Sequence, residues 1–190
     1  AANPVRLVLA GAAVSAALRS YVVALMLADP WALNSFRYWD IGALTDRTLD
    51  EIGPISWFLI AGLVGMLLLA RPLNALTLGD AAAQGLGANL LGIRVAGAVV
   101  IVLLCGAATA AVGPIGFVGL AVPHLARLAV GVDHRLGLPA AALLGALLLM
   151  CADVLGRVIA WPQEVGVGII TAFVGAPVLI WLVRSRRAGR

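Results

Sequence analysis

Apolar runs fill most of this chain, and polar positions are confined to short connections between them. Runs long enough to cross a bilayer as helices, about 17–25 residues each, lie at 5–28, 54–70, 95–112, 113–130, 138–160 and 165–183. Each is continuously apolar, whereas a membrane barrel strand alternates apolar with polar over about ten residues. Only helices and closed barrels satisfy the backbone inside lipid. The pattern therefore predicts an all-α integral membrane protein, a polytopic bundle of about six transmembrane helices. No tandem repeat or low-complexity linker interrupts it, so residues 1–190 read as one transmembrane domain. Two connections are longer than a link requires: 29–54 on one side of the membrane and 71–94 on the other.

Composition sharpens this. The 190 residues are 63% hydrophobic and only 12% charged, with mean hydropathy +1.07, against roughly a quarter charged in ordinary globular domains. The 13 basic residues are all arginine, which raises the question of nucleic acid, but their placement answers it. With both termini on one side, Arg6, Arg71, Arg94, Arg127, Arg135, Arg184, Arg186, Arg187 and Arg190 share that side. Asp29, Asp40, Asp46, Asp50, Glu51 and Glu164 fall on the other. The positive-inside rule makes the arginine side cytoplasmic, with 71–94 a cytoplasmic loop and 29–54 a periplasmic one. Trp31, Trp39, Trp57 and Trp161 then gather at the outer interface and Trp181 at the inner. The partner implied is a lipid bilayer, not nucleic acid. Cys105 and Cys151 fall inside apolar runs and read as small buried hydrophobes. The chain opens AANPVRLVLAG, without methionine and without a cleavage pattern, as a fragment or processed chain would.

Chemistry is sparse and local. In LGDAAAQGLG, Asp80 suits the first turn of a short helix, where the dipole favours a carboxylate, and Gly85 and Gly87 suit its end. That places a helix-turn element on the cytoplasmic face, of a size a partner surface can hold. In GPIGFVGLAVPH, Gly113, Gly116 and Gly119 recur at every third position, with Pro114 and Pro123 among them. Such spacing either packs helices closely or breaks a span. His124 has no second ligand at a useful spacing, so no metal site is expected. Asp153 and Arg157 lie four apart on one helix face and can pair. Arg19 lies within the first run, where an arginine costs about 2.5–3.5 kcal/mol, and so should face a cavity or partner.

The stretch GPIGFVGLAVPH, followed by DHR, AD and GIITAFVGAP, closely resembles the permease subunits of bacterial ABC importers for ferric siderophores, haem and vitamin B12. LGDAAAQGLG is similar to that family's coupling element, and YWDIGAL to its W-x-x-G-S-L pattern, with Ala43 in place of the serine. Val165 and Gly166 stand where the family often has leucine and proline. The resemblance implies the C-terminal part of a ten-helix type II importer permease in the bacterial inner membrane. It further implies a second permease subunit, identical or related, two cytoplasmic ATPase subunits and an extracytoplasmic substrate-binding protein. ATP and magnesium would then act on the ATPase, this chain being no enzyme and binding no cofactor itself. That agrees with the absence of a P-loop and of any lysine.

Carried over by position, Gly79, Asp80, Ala83, Leu86 and Gly87 would contact the ATPase. Gly113, Pro114, Gly116, Phe117, Gly119 and Pro123 would line and gate the pathway. Arg157, beside Asp153, would receive the binding protein. Arg19 is not a regular feature of the family; its cost within the first run, not the resemblance, leads to the expectation that it meets an anionic substrate such as a ferric siderophore. An ion-coupled secondary transporter would want polar residues at the midplane of several spans, and an intramembrane enzyme an acid–base or metal set. The runs offer little of either.

Overall fold

A computed structural model describes residues 4–44, 48–85, 87–161 and 165–188. Leu86, Asp46, Glu164 and Arg190 lie outside the described residues, as do the side chains of Glu51, Trp181, Arg184, Arg186 and Arg187. Among the described residues all regular structure is helical, in eight helices: α1 (Pro4–Ala28), α2 (Pro30–Asp40), α3 (Leu49–Leu76), α4 (Asp80–Gly85), α5 (Leu90–Val112), α6 (Val118–Val130), α7 (His134–Ile159) and α8 (Val167–Ala188). Four stretches are long and apolar enough to cross a membrane, Val8–Ala28, Ile52–Leu76, Leu90–Val112 and His134–Ile159. The other two apolar runs appear as shorter apolar helices, Val118–Val130 and Val167–Pro177.

The chain divides into two units, Ala1–Asp40 and Ile41–Arg190. In the first, α1 is exposed along its apolar length, as at Val8 and Leu27, a surface suited to lipid or protein rather than water. Asp29 starts α2, its carboxylate accepting the Trp31 N–H at 2.9 Å. Pro30 follows at the first helical position, where its missing donor costs nothing. Part of the expected outer loop is thus an amphipathic helix, with the Phe36 and Trp39 rings 5.4 Å apart.

In the second unit α3 packs along α5, α6 along α7, and α8 against both α6 and α7. Gly62 and Gly65 let α3 approach α5: a Cβ there would stand 2.7 Å from the Leu104 side chain and 2.7 Å from Val100 Cγ2. The expected inner loop is shorter than the sequence suggests, because α3 continues past Arg71 to Leu76. α5 also begins early, at Leu90, where Asn89 accepts the Gly92 N–H at 3.0 Å. The core is small in size and number: Ala70, Ala83, Ala107, Val122, Ala126, Ala152 and Val167 are its buried apolar members among the described residues. Cys105 and Cys151 are free thiols and exposed, not buried, because their helix faces are not covered within the chain.

Candidate functional site

Two clusters lie at opposite ends of the second unit. The first gathers the C-terminus of α3, α4, the N-terminus of α5 and the turn between α6 and α7. It can be called the arginine end, after Arg71, Arg94, Arg127 and Arg135. α3 closes in tight turns, Thr77, Leu78 and Gly79 donating to the carbonyls of Asn74, Ala75 and Leu76 at 3.2 Å. α4 follows and ends in a Schellman pattern: Ala88 N–H donates to the Ala83 carbonyl at 3.0 Å and Gly87 N–H to that of Gln84 at 2.9 Å. Gly87 stands at φ 79°, a backbone region that side chains with a Cβ resist.

Asp80 opens α4 as expected, and it is also pinned. Arg94 of α5 donates to both its carboxylate oxygens, at 2.9 and 2.7 Å, so that one guanidinium nitrogen holds the whole carboxylate. Of the residues expected to meet an ATPase, Gly79, Asp80 and Gly87 are exposed. Ala83 is completely buried; the small side chain seats α4 on its own chain, so it supports the exposed face rather than forming it. Leu86 lies outside the described residues.

At the same end Asn74 reaches across to the start of α7. Its Nδ2 donates to Asp133 Oδ1 at 2.6 Å, while its Oδ1 accepts from the backbone N–H of His134 at 2.9 Å. Asp133 also caps α7, taking the Arg135 N–H at 2.9 Å. The Arg135 backbone N–H, then the Asn74 amide, hold the Asp133 carboxyl below its ordinary range, helped by the nearby charges.

The other cluster is the glycine end, where residues 41–43 meet 112–117 and 165–175. Ala43 N–H donates to the Val112 carbonyl at 3.0 Å and Gly168 N–H to the Gly42 carbonyl at 3.2 Å. Neither glycine has space to spare. A Cβ on Gly42 would lie 2.9 Å from the Pro114 carbonyl oxygen, and one on Gly168 would run into the Ile41 carbonyl. Val167 and Thr171 are buried here, Thr171 Oγ1 donating to the Gly168 carbonyl at 3.1 Å.

The segment 113–117 is a break, not a stripe of packing. α5 ends at Gly113, with φ 81°, and α6 begins only after Phe117, which holds φ 66° and ψ −27°. A left-handed non-glycine residue costs on the order of 1–3 kcal/mol and persists only where its surroundings demand it. Gly175 of α8 lies directly against Phe117 Cβ and Cγ, leaving that side of the ring no room to shift. A Cβ added to Gly116 or Gly119 would meet nothing within 4 Å, and Pro114 and Pro123 are exposed as well. An apolar cavity of about 290 Å³ follows Phe117 between α6, α7 and α8, bordered by Val118, Leu148, Cys151, Thr171 and Gly175.

Two further candidates stand apart. Arg157 Nε donates to Asp153 Oδ2 at 2.8 Å, the expected pair on α7, with side chains 47% and 20% exposed. In the first unit Arg19 approaches Asp40 to 3.9 Å and is 79% exposed. Sequence reading missed the roles of Asn74, Gly168 and Gly175. The last two lie in the stretch GIITAFVGAP, whereas Asn74 carried no signal beyond an amide at the end of an apolar run.

Residues 1–185 match the FecCD transport family. The chain belongs to that family. It is 45% identical over 188 residues to the ferric enterobactin transport system permease protein FepD of Escherichia coli, covering 98% of this chain and 56% of that protein. It is 40% identical over 189 residues to the hemin transport system permease protein HmuU of Yersinia pestis, covering 99% and 57%. A structure described as a putative metal-chelate type ABC transporter in an inward-facing conformation superposes with a TM-score of 0.79 at 29% identity, covering 88% of this chain and 57% of that one. This FecCD chain thus spans a little over half the length of the relatives it matches.

Proposed function

We propose that this FecCD chain is the translocating part of an ABC importer permease for metal chelates, driven through α4 by a cytoplasmic ATPase. The observation that carries the reading is the build of α4: a helix of six residues too short to be stable alone, seated by Ala83, closed by Gly87 and pinned by Asp80 to Arg94. Such an element presents a rigid, small face, which a partner can push. The arginine end is then cytoplasmic, as are both termini of this chain, in the bacterial inner membrane. ATP and magnesium belong to the ATPase, and a second permease copy, identical or related, completes the pathway.

A ferric siderophore is the favoured cargo, supported by the similarity to FepD and by Arg19, whose charge suits an anionic chelate. An extracytoplasmic binding protein delivers it, Arg157 and Asp153 receiving that protein and the 113–123 segment gating the path. Haem is the second reading, favoured by the similarity to HmuU; vitamin B12 and an ion-coupled secondary transporter rank below both.

The test is uptake of ferric enterobactin labelled with radioactive iron by cells carrying the full-length permease with Gly87→Trp. Strain at the positive φ and bulk on the exposed face should lower uptake about tenfold or more, with the protein still present in the membrane. Unchanged uptake would remove α4 as the driven element.

A further inference from the structure

Asn74 sits in the last turn of α3, one tight turn before α4. Its side chain is almost fully used. Besides the bonds to Asp133 and the His134 backbone, its Oδ1 lies 2.8 Å from His134 Nδ1. The reverse amide orientation would set an NH₂ group against the His134 backbone N–H and an oxygen against the Asp133 carboxylate; in the orientation that satisfies both, the oxygen facing His134 only accepts, so Nδ1 is the donor. Three hydrogen bonds therefore join positions that lie about sixty residues apart in sequence.

What Asn74 grips is a turn, not a helix face. Residues 131–133 connect α6 to α7, and Asp133 is at once the cap of α7 and the acceptor for Asn74. Beside that turn a cavity of about 190 Å³ opens between α6 and α7, bordered by Pro123, Arg127, Gly131, Asp133, His134 and Gly137. The turn is thus fastened by Asn74 and borders open space. Apolar faces in contact transmit a push but slide under a pull or a twist. Hydrogen bonds with donor–acceptor distances fixed within a few tenths of an ångström transmit all three.

We propose that Asn74 is the positioning residue that carries a displacement of α4 to the α6–α7 turn, and through it to α6 and the Phe117 break. The inference rests on the reading of α4 as the driven element. The chain of contacts is continuous: α4 follows α3 directly, Asn74 ties the end of α3 to Asp133 and His134, and α6 ends at the gripped turn. Arg94 holds α4 to α5, so α4 moves with the end of α5 as one piece. The Asn74 bonds fasten the end of α3, which leads into that piece, to the start of α7, along which α3 also packs.

The experiment uses the full-length permease assembled with its ATPase and binding protein in liposomes, with ATP hydrolysis and transport of ferric enterobactin measured on the same preparation. Asn74→Asp removes the Nδ2 donor and sets a carboxylate against Asp133. The ratio of substrate moved to ATP hydrolysed should fall about tenfold, with hydrolysis within about twofold of wild type. Adding Asp133→Asn restores the pairing with its polarity reversed: the new amide donates to the new carboxylate and leaves His134 its acceptor, while the Arg135 N–H loses its cap, because a single oxygen of Asp133 takes both bonds in the wild type. The ratio should recover most of its loss, as a double-mutant cycle requires of groups in contact. If Asn74→Asp fails to assemble, Asn74→Ser, which loosens the grip without adding charge, should show the same fall in ratio. A proportional fall of hydrolysis and transport, an unchanged ratio, or a double variant no better than the single would overturn the proposal. Gly87→Trp serves as the control. If it leaves transport intact, the reading of α4 fails; if it abolishes transport while Asn74→Asp keeps the ratio, only the role of Asn74 fails.

Discussion

The arginine end and the glycine end of the second unit are joined by different means. At the arginine end side chains do the joining: Asn74 to Asp133 and His134, Arg94 to Asp80. At the glycine end backbone meets backbone, Gly168 on Gly42 and Ala43 on Val112, at glycines whose missing Cβ makes the approach possible. Side-chain bonds are directional and individually modest, around 1 kcal/mol, so one substitution removes one of them. Backbone contacts at glycines leave no slack, because close-packed groups resist displacement by even one methyl. The first join can be undone bond by bond, the second only by moving the backbone.

The comparison breaks most easily at the glycine end. Gly168→Ala puts a methyl group onto the Ile41 carbonyl and should cost about 3 kcal/mol, the upper part of the range for overpacking. Thermal unfolding of the detergent-purified permease measures this, and a loss below about 1 kcal/mol would mean that the junction yields more than a close-packed one can. Gly175→Ala should cost somewhat less, about 2 kcal/mol, because the opposing group is the Phe117 side chain rather than backbone. Phe117→Gly in the same chain should recover much of that loss by removing both the clash and the left-handed strain. Failure to recover would show that the ring's packing outweighs its strain.

The smallest effect belongs to the arginine end. The Asp133 carboxyl is held below its ordinary range, so its contribution is complete above the unfolded pKa of about 3.9 and is lost as the pH falls through the lower folded value. Acidification from neutrality should therefore leave this contribution intact until the medium is distinctly acid. Hydrogen exchange at residues 134–137 should then rise in wild type before it does elsewhere in α7. In Asp133→Asn that step should be missing; its persistence would assign the effect to other carboxylates.

Much of this architecture can be read from the chain itself. The apolar runs mark the helices, the 113–123 stretch marks either a break or a packing site, Asp80 and Gly87 bracket α4, and Asp153 and Arg157 pair at helical spacing. These features are local, set by dihedral preference or by neighbours within a turn. What escapes the sequence depends on which faces meet. Gly116 and Gly119, regular in spacing, face open space, while Gly42, Gly168 and Gly175, irregular in spacing, are in close contact. Asn74 and Asp133 find each other across 59 positions, for which no periodicity speaks. The left-handed Phe117 lies against Gly175 of another helix, a contact invisible from its own neighbours.

α6 has a further consequence for the medium around it. Thirteen residues give a helix of about 20 Å, roughly 10 Å short of the hydrocarbon layer. Residues 113–117 precede α6, and non-helical backbone at membrane depth is stable only against protein or water. This chain supplies part of that cover itself, with Gly42 and Gly168 set close to the Pro114 carbonyl. A bilayer could keep its full thickness beside so short a helix only where the break is shielded in this way.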